Sequence, residues 1–163
     1  MLGLENNTMR EPSVTHNTFV IERSYAATPE RIFAFFADPA KKRRWLGGEA
    51  EGFAIESFAP NFQVDSFERW AFRFKGGELI KNDVCYQDIV PERRIVFVYT
   101  MTFGDKRVSS SQTTVELIPT ASGTNLVHTE QGAFFDGVDS AQGREEGTRG
   151  LLEQLAKELE RAS

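Results

Sequence analysis

The stretch Ile95–Gly132, IVFVYTMTFGDKRVSSSQTTVELIPTASGTNLVHTEQG, decides how this chain folds. Its opening run, Ile95 to Phe103, is β-branched or aromatic apart from Met101, a composition that suits a strand. Gly104-Asp105-Lys106 then turns the chain into a second strand, Val108 to Ile118. Pro119 to Gly123 turns it again into a third, Thr124 to Ala133. Strands that follow one another through turns this short pair antiparallel, as a meander.

Reading outward toward the N-terminus, Val90-Pro91-Glu92-Arg93 is a tight turn preceded by a long strand, Ile80 to Val90. Gly76-Gly77 separates that strand from Arg69–Phe74, and Phe62–Phe67 reads as one more. The first strand of the chain is Phe19–Tyr25. Thr28 is a suitable N-cap for a helix with Pro29 at its first position, and Ile32, Phe33 and Phe36 give it an apolar face. Asp38-Pro39 interrupts it, and a second short helix runs from Lys41 to Leu46 before Gly47-Gly48.

Toward the C-terminus the chain closes on a long helix, Asp139 to Arg161. Leu151, Leu152, Leu155 and Leu159 fall on one stripe, as packing on a sheet requires. Continued toward the helix N-terminus, that stripe carries Thr148, Glu145, Arg144 and Ala141 instead. Gly143, Gly147 and Gly150 flank it. Glycine costs roughly 1 kcal/mol relative to alanine inside a helix, so three imply a close approach or room left beside the helix.

Composition bounds the function. The chain has 163 residues, enough for one domain with a sizeable core, and 14 of them are Phe. Residues 1–16 read as a flexible N-terminal tail and 17–163 as the single domain. A net charge of −5 gives nucleic-acid binding no electrostatic support, and Lys41-Lys42-Arg43-Arg44 reads as a solvated helix face. One Cys excludes an internal disulfide, and two His leave few ligands for a metal, so no metal site is expected. No Gly-rich phosphate loop lies between a strand and a helix, no Gly-x-Ser-x-Gly elbow is present, and no cofactor is implied. Neither an apolar leader nor a run long enough for a membrane span is visible, so the expected location is the cytoplasm.

The order strand, two short helices, antiparallel meander and long C-terminal helix resembles the helix-grip fold, an α+β architecture. In it a curved antiparallel sheet wraps around the C-terminal helix. In detail the sequence resembles the SRPBCC or START-like superfamily, and within it the bacterial homologues of the activator of the ninety-kilodalton heat-shock protein ATPase. The matching pieces are Ala27–Phe33 with Trp45, Tyr86–Ile95, Gly123–Gly132 and Gly147–Leu152. The resemblance implies a cavity between sheet and helix, and members that bind or process hydrophobic small molecules such as lipids and polyketides, or act as co-chaperones. The eukaryotic activator carries a further N-terminal domain that engages the chaperone. Here that position holds only a short polar stretch, which counts against direct activation.

If such a cavity exists, its candidate lining from the helices is Phe33, Phe36 and Trp45. Phe72, Tyr86 and Phe134 join from the strands, with Phe97, Tyr99 and Met101 sharing one face of the strand Ile95–Phe103. His128 and Glu130 also project from one face, and Arg144 lies on the facing helix stripe with Thr148. A buried Glu130 with a raised pKa suits acid catalysis beside His128, whereas pairing with Arg144 would hold it ionised and clamp helix to sheet. Phe134 and Phe135 fall in the connection to the last helix, where either could cover the cavity. Two readings of different class follow: a module binding a small, largely hydrophobic molecule, and a cyclase- or dehydratase-type enzyme using the same cavity with His128 or Glu130 as general base. A stress-related interaction module is a third. An exposed sheet edge allows a homodimer without requiring one.

Overall fold

The computed structural model describes residues 11–47 and 52–161, so residues 1–10 of the expected tail and Gly48 lie outside the described residues. The elements are β1 (Val14–Tyr25), α1 (Pro29–Ala37), α2 (Pro39–Leu46), β2 (Phe53–Ala59), β3 (Phe67–Phe74), β4 (Leu79–Val90), β5 (Arg94–Phe103), β6 (Lys106–Thr120), β7 (Gly123–Phe135) and α3 (Ala141–Arg161). The strands form one antiparallel seven-stranded sheet in the order β1-β7-β6-β5-β4-β3-β2. This is the helix-grip arrangement: the sheet curves about α3, and the two short helices follow β1.

Local chemistry explains the punctuation. Thr28 accepts from the Arg31 amide, and Asp38 both ends α1 and caps α2 through the Ala40 and Lys41 amides. Pro91 and Glu92 occupy the centre of the β4–β5 turn, closed by the Arg93 amide on the Val90 carbonyl, with Glu92 at φ 65°. At Gly123 a Cβ would lie 2.1 Å from the Tyr25 carbonyl oxygen, so only glycine lets β7 start this close to the end of β1. Its neighbour Thr124, fully buried, donates to the Ala27 carbonyl at 2.7 Å and ties that corner to the entrance of α1. The Gly-Thr pair thus joins the meander to the first helix.

Three register shifts bend the sheet: between Ile55 and Ser57 in β2, between Tyr86 and Asp88 in β4, and between Arg107 and Ser109 in β6, opposite Met101 and Thr102 of β5. The core sits where the concave face meets the helices, with Ile32, Phe35, Ile95, Leu117, Leu126 and Leu155 essentially inaccessible. The closest backbone approaches of α3 are to β1 and α2, so the helix stands off the β3–β5 half of the sheet.

Several sequence expectations need correction. β1 begins at Val14, five residues before Phe19, and its first residues pair with the end of β7, so 14–16 are strand and not tail. Phe62–Phe67 is not a strand: 60–66 is a connection that meets β4 at a parallel bridge from Val64 to Tyr86, and the strand before β3 is β2. Phe62 earns its apolarity by packing edge-on to Tyr86 and Phe33 instead. Phe134 and Phe135 are the last residues of β7 and not loop residues, and Phe134 is buried. A Cβ at Gly147 or Gly150 would meet nothing within 4 Å, so these glycines mark room beside α3 and not a close approach.

Candidate functional site

Between α3 and the β3–β5 half of the sheet lies a cavity of about 810 Å³. Strand alternation aims its lining: Trp70 and Phe72 from β3, Val84 and Tyr86 from β4, and Phe97, Tyr99 and Met101 from β5. Phe36 and Trp45 close it from the short helices, and Thr148 and Leu151 from α3. The open flank runs along Gly147 and Gly150, with the exposed Lys75 and Lys157 at the rim.

Of the thirteen residues singled out from sequence, eleven reach this cavity: Phe36, Trp45, Phe72, Tyr86, Phe97, Tyr99, Met101, His128, Glu130, Arg144 and Thr148. Phe33 and Phe134 do not. Phe33 lies on the side of α1 that faces Phe62, because the buried stripe of that helix passes through Ile32, Phe35 and Phe36. Phe134 lies under the Arg144 guanidinium, 5.2 Å from its ring centroid, and serves as its floor.

Two charged clusters sit in the cavity wall. In the first, Tyr99 donates to Glu130 Oε2 at 2.8 Å and accepts from Arg144 Nη1 at 2.7 Å. Arg144 Nη2 donates to Ser109 and to Asp139, both at 2.8 Å, while Thr113 donates weakly to Glu130 Oε1 at 3.4 Å. The alternation of β6 turns Ser109, Ser111 and Thr113 inward, and this cluster uses two of those three hydroxyls. Burial opposes the charge of Glu130, but His128, Arg144 and Tyr99 outweigh it and hold the carboxyl below its ordinary value. His128 Nε2 stands 3.7 Å from Glu130 Oε1, an ion-pair distance too long for a hydrogen bond, and has no hydrogen-bond partner. The expectation that burial would raise the Glu130 pKa for acid catalysis is therefore overturned. Burial pushes the Tyr99 hydroxyl up, so it remains a donor.

The second cluster was not foreseen. Lys42 Nζ donates to both oxygens of Glu68 at 3.1 Å and to the Tyr86 hydroxyl at 2.7 Å. Tyr86 in turn donates to Glu68 Oε2 at 3.0 Å. Lys42 and Glu68 are only 3% and 2% exposed, so the reading of Lys41–Arg44 as a solvated face fails at Lys42. Burial lowers the Lys42 pKa, and Glu68 opposes the shift. The signals for both residues were present in the sequence. Glu68 shares its strand face with Trp70 and Phe72, and Lys42 lies three residues before Trp45 on the same side of α2. Tyr86, Phe97 and Tyr99 link the clusters, with ring centroids 6.0 and 5.9 Å apart.

Among the described residues no group of His, Cys, Asp and Glu could hold a metal ion, and no helix is long and apolar enough to cross a membrane.

Residues 26–162 match the family described as Activator of Hsp90 ATPase homolog 1-like protein. Among solved structures, the Mll3558 protein of Rhizobium loti is 53% identical, with a TM-score of 0.82 covering 90% of this chain and 99% of that one. A protein from Rhizobium leguminosarum is 36% identical, with a TM-score of 0.88 covering 93% and 99%. An AHSA1-like protein from Aeromonas hydrophila shares the fold at 16% identity, with a TM-score of 0.67 and coverage of 90% and 94%. No curated protein matches the chain. The chain belongs to the family of proteins like activator of Hsp90 ATPase homolog 1, within the SRPBCC superfamily.

Proposed function

We propose that this protein binds a small, largely hydrophobic molecule in the space between the curved sheet and α3. The observation that carries this reading is the cavity: about 810 Å³, walled by aromatic and aliphatic side chains. Binding sites for small molecules typically measure roughly 300–1,000 Å³ and are lined in this way. A chain needing only a packed core would fill that space, because protein interiors leave few voids larger than a water molecule.

The state of Glu130 speaks against its service as the acid or base of a turnover reaction. Glu130 is held ionised and already accepts from Tyr99 and Arg144, so it offers no proton and little free basicity.

Titration with diphenylhexatriene, an uncharged apolar dye that brightens out of water, tests the reading. A saturable rise is expected, and Val84→Phe, which narrows the cavity wall, is expected to weaken it. Native mass spectrometry of protein purified from its own host is expected to show a co-purified small molecule. A dye response that never saturates and is indifferent to Val84→Phe would defeat the reading.

A further inference from the structure

We infer that the molecule held in this cavity is an amphiphile with one anionic group, which stays at the open flank near Lys75 and Lys157 while its apolar body fills the space within. The inference rests on the hydrophobic-ligand reading above and names the class of molecule.

Four cations line the cavity: Lys42, Lys75, Arg144 and Lys157. They form two pairs of different standing. Lys42 and Arg144 are buried and already answered, Lys42 by Glu68 and Arg144 by Glu130 and Asp139. Three carboxylates thus face two cations in the interior. An anion carried that deep would lose its water and meet a surplus of like charge. A charged head group therefore belongs outside, in contact with water.

The rim has the opposite sign. Lys75 and Lys157 are exposed there. The remaining carboxylate of the lining, Glu153, is taken by Arg23, which donates to its two oxygens at 2.7 and 3.2 Å. No carboxylate of the lining is left over for the rim lysines. Lys75 also adjoins the aromatic wall: its ammonium lies 5.1 Å from the Phe74 ring centroid, and Phe74 packs on Phe53. Beside α3, Gly147 and Gly150 leave the space through which an apolar tail can enter. An anionic head is attracted to this mouth and a cationic one repelled, although exposure keeps both effects modest.

Displacement of diphenylhexatriene by ten-carbon probes tests this at mildly alkaline pH, with decanoate, decyl phosphate, decanol and decylammonium. The anions are expected to displace the dye at about tenfold lower concentration than decylammonium, with decanol between them. In about 1 M sodium chloride, where the Debye length shrinks to about 3 Å, that ratio should fall toward one. The double variant Lys75→Gln, Lys157→Gln, which keeps both aliphatic stems, should lower the ratio in the same way at low salt. Lys81→Gln removes the same charge from an exposed β4 position outside the cavity lining and should leave the ratio unchanged. The inference falls if neither anion outcompetes both decanol and decylammonium while the dye still binds saturably. It also falls if the ratio ignores salt, or if Lys81→Gln lowers it as much as the double variant does. The salt series decides the matter should the double variant not fold. Loss of saturable dye binding in the native protein would remove the underlying reading as well.

Discussion

Glu130 and Glu68 are both strand glutamates turned inward, and each is answered by a cation from a helix, Arg144 on α3 and Lys42 on α2. The alternation Leu126, His128, Glu130 made the first legible, and the α3 stripe supplied its partner. The same rule applied to Glu68, Trp70 and Phe72 would have disclosed the second, but a run of four basic residues concealed Lys42 by looking solvated. Glu130→Gln is expected to lower unfolding free energy by about 1–3 kcal/mol, since Arg144 keeps Asp139 but loses a charged acceptor. The exposed Glu22→Gln should stay within about 0.5 kcal/mol in the same denaturant titration. Glu158 would be a poor control: although the sequence presents it as a polar helix position, it is only 8% exposed and pairs with Arg161. Lys42→Met strands Glu68 and should cost about 3–5 kcal/mol, and adding Glu68→Leu should recover most of that loss.

At the scale of elements, α3 divides into two halves that meet the sheet differently. Its C-terminal half buries Leu152, Leu155 and Leu159, while its N-terminal half offers Arg144 as the buried group and leaves Gly147 and Gly150 beside open space. Neither glycine has a positive φ, so neither is needed for backbone conformation. Gly147→Ala and Gly150→Ala are each expected to raise stability by about 0.5–1 kcal/mol, read as a higher denaturant midpoint. Gly143→Ala should gain less, because its Cβ would stand 3.1 Å from Ser140 Oγ. A loss of stability at Gly147 would show that something the structure leaves free is in fact occupied. The helix and most of the meander were legible because their periods of 3.6 and 2 run over long segments, broken in the meander strands only by single-residue shifts. The false strand at Phe62–Phe67 arose because aromatic residues that plug a connection onto a core look locally like those of a strand.

For the whole molecule, buried titratable groups set the pH range of stability. Glu130 titrates lower folded than unfolded, so its contribution is complete above the free-carboxylate value of 4.5 and is lost as pH falls through the folded value. Burial raises all three tyrosines, Tyr25, Tyr86 and Tyr99, above the ordinary 10.0. Above that pH the unfolded chain releases phenolic protons that the folded chain retains, so stability falls as pH rises further. Lys42, lowered from 10.5, acts in the opposite sense, but one lysine opposes three tyrosines. Chemical unfolding followed across pH should therefore show stability declining below about pH 4.5 and above about pH 10. Tyrosinate absorbance is expected to appear together with unfolding. Tyrosines titrating normally in the folded protein would contradict their burial.

The sequence by itself determined the element order, the antiparallel meander, the helix caps and turns, and which residues share a face, because each follows from backbone sterics and local periodicity. Only the tertiary structure decided which of those faces meet. It sent Phe33 to Phe62 and Phe134 beneath Arg144, joined Lys42 to Glu68 across 26 residues, and held α3 off the sheet along Gly147 and Gly150. A cavity is a property of the space between elements, and no local pattern encodes the distance between two surfaces. For that reason Glu130 could be read as an inward residue from the strand alone, while its role as an ionised clamp on Arg144 through Tyr99 required the packed molecule.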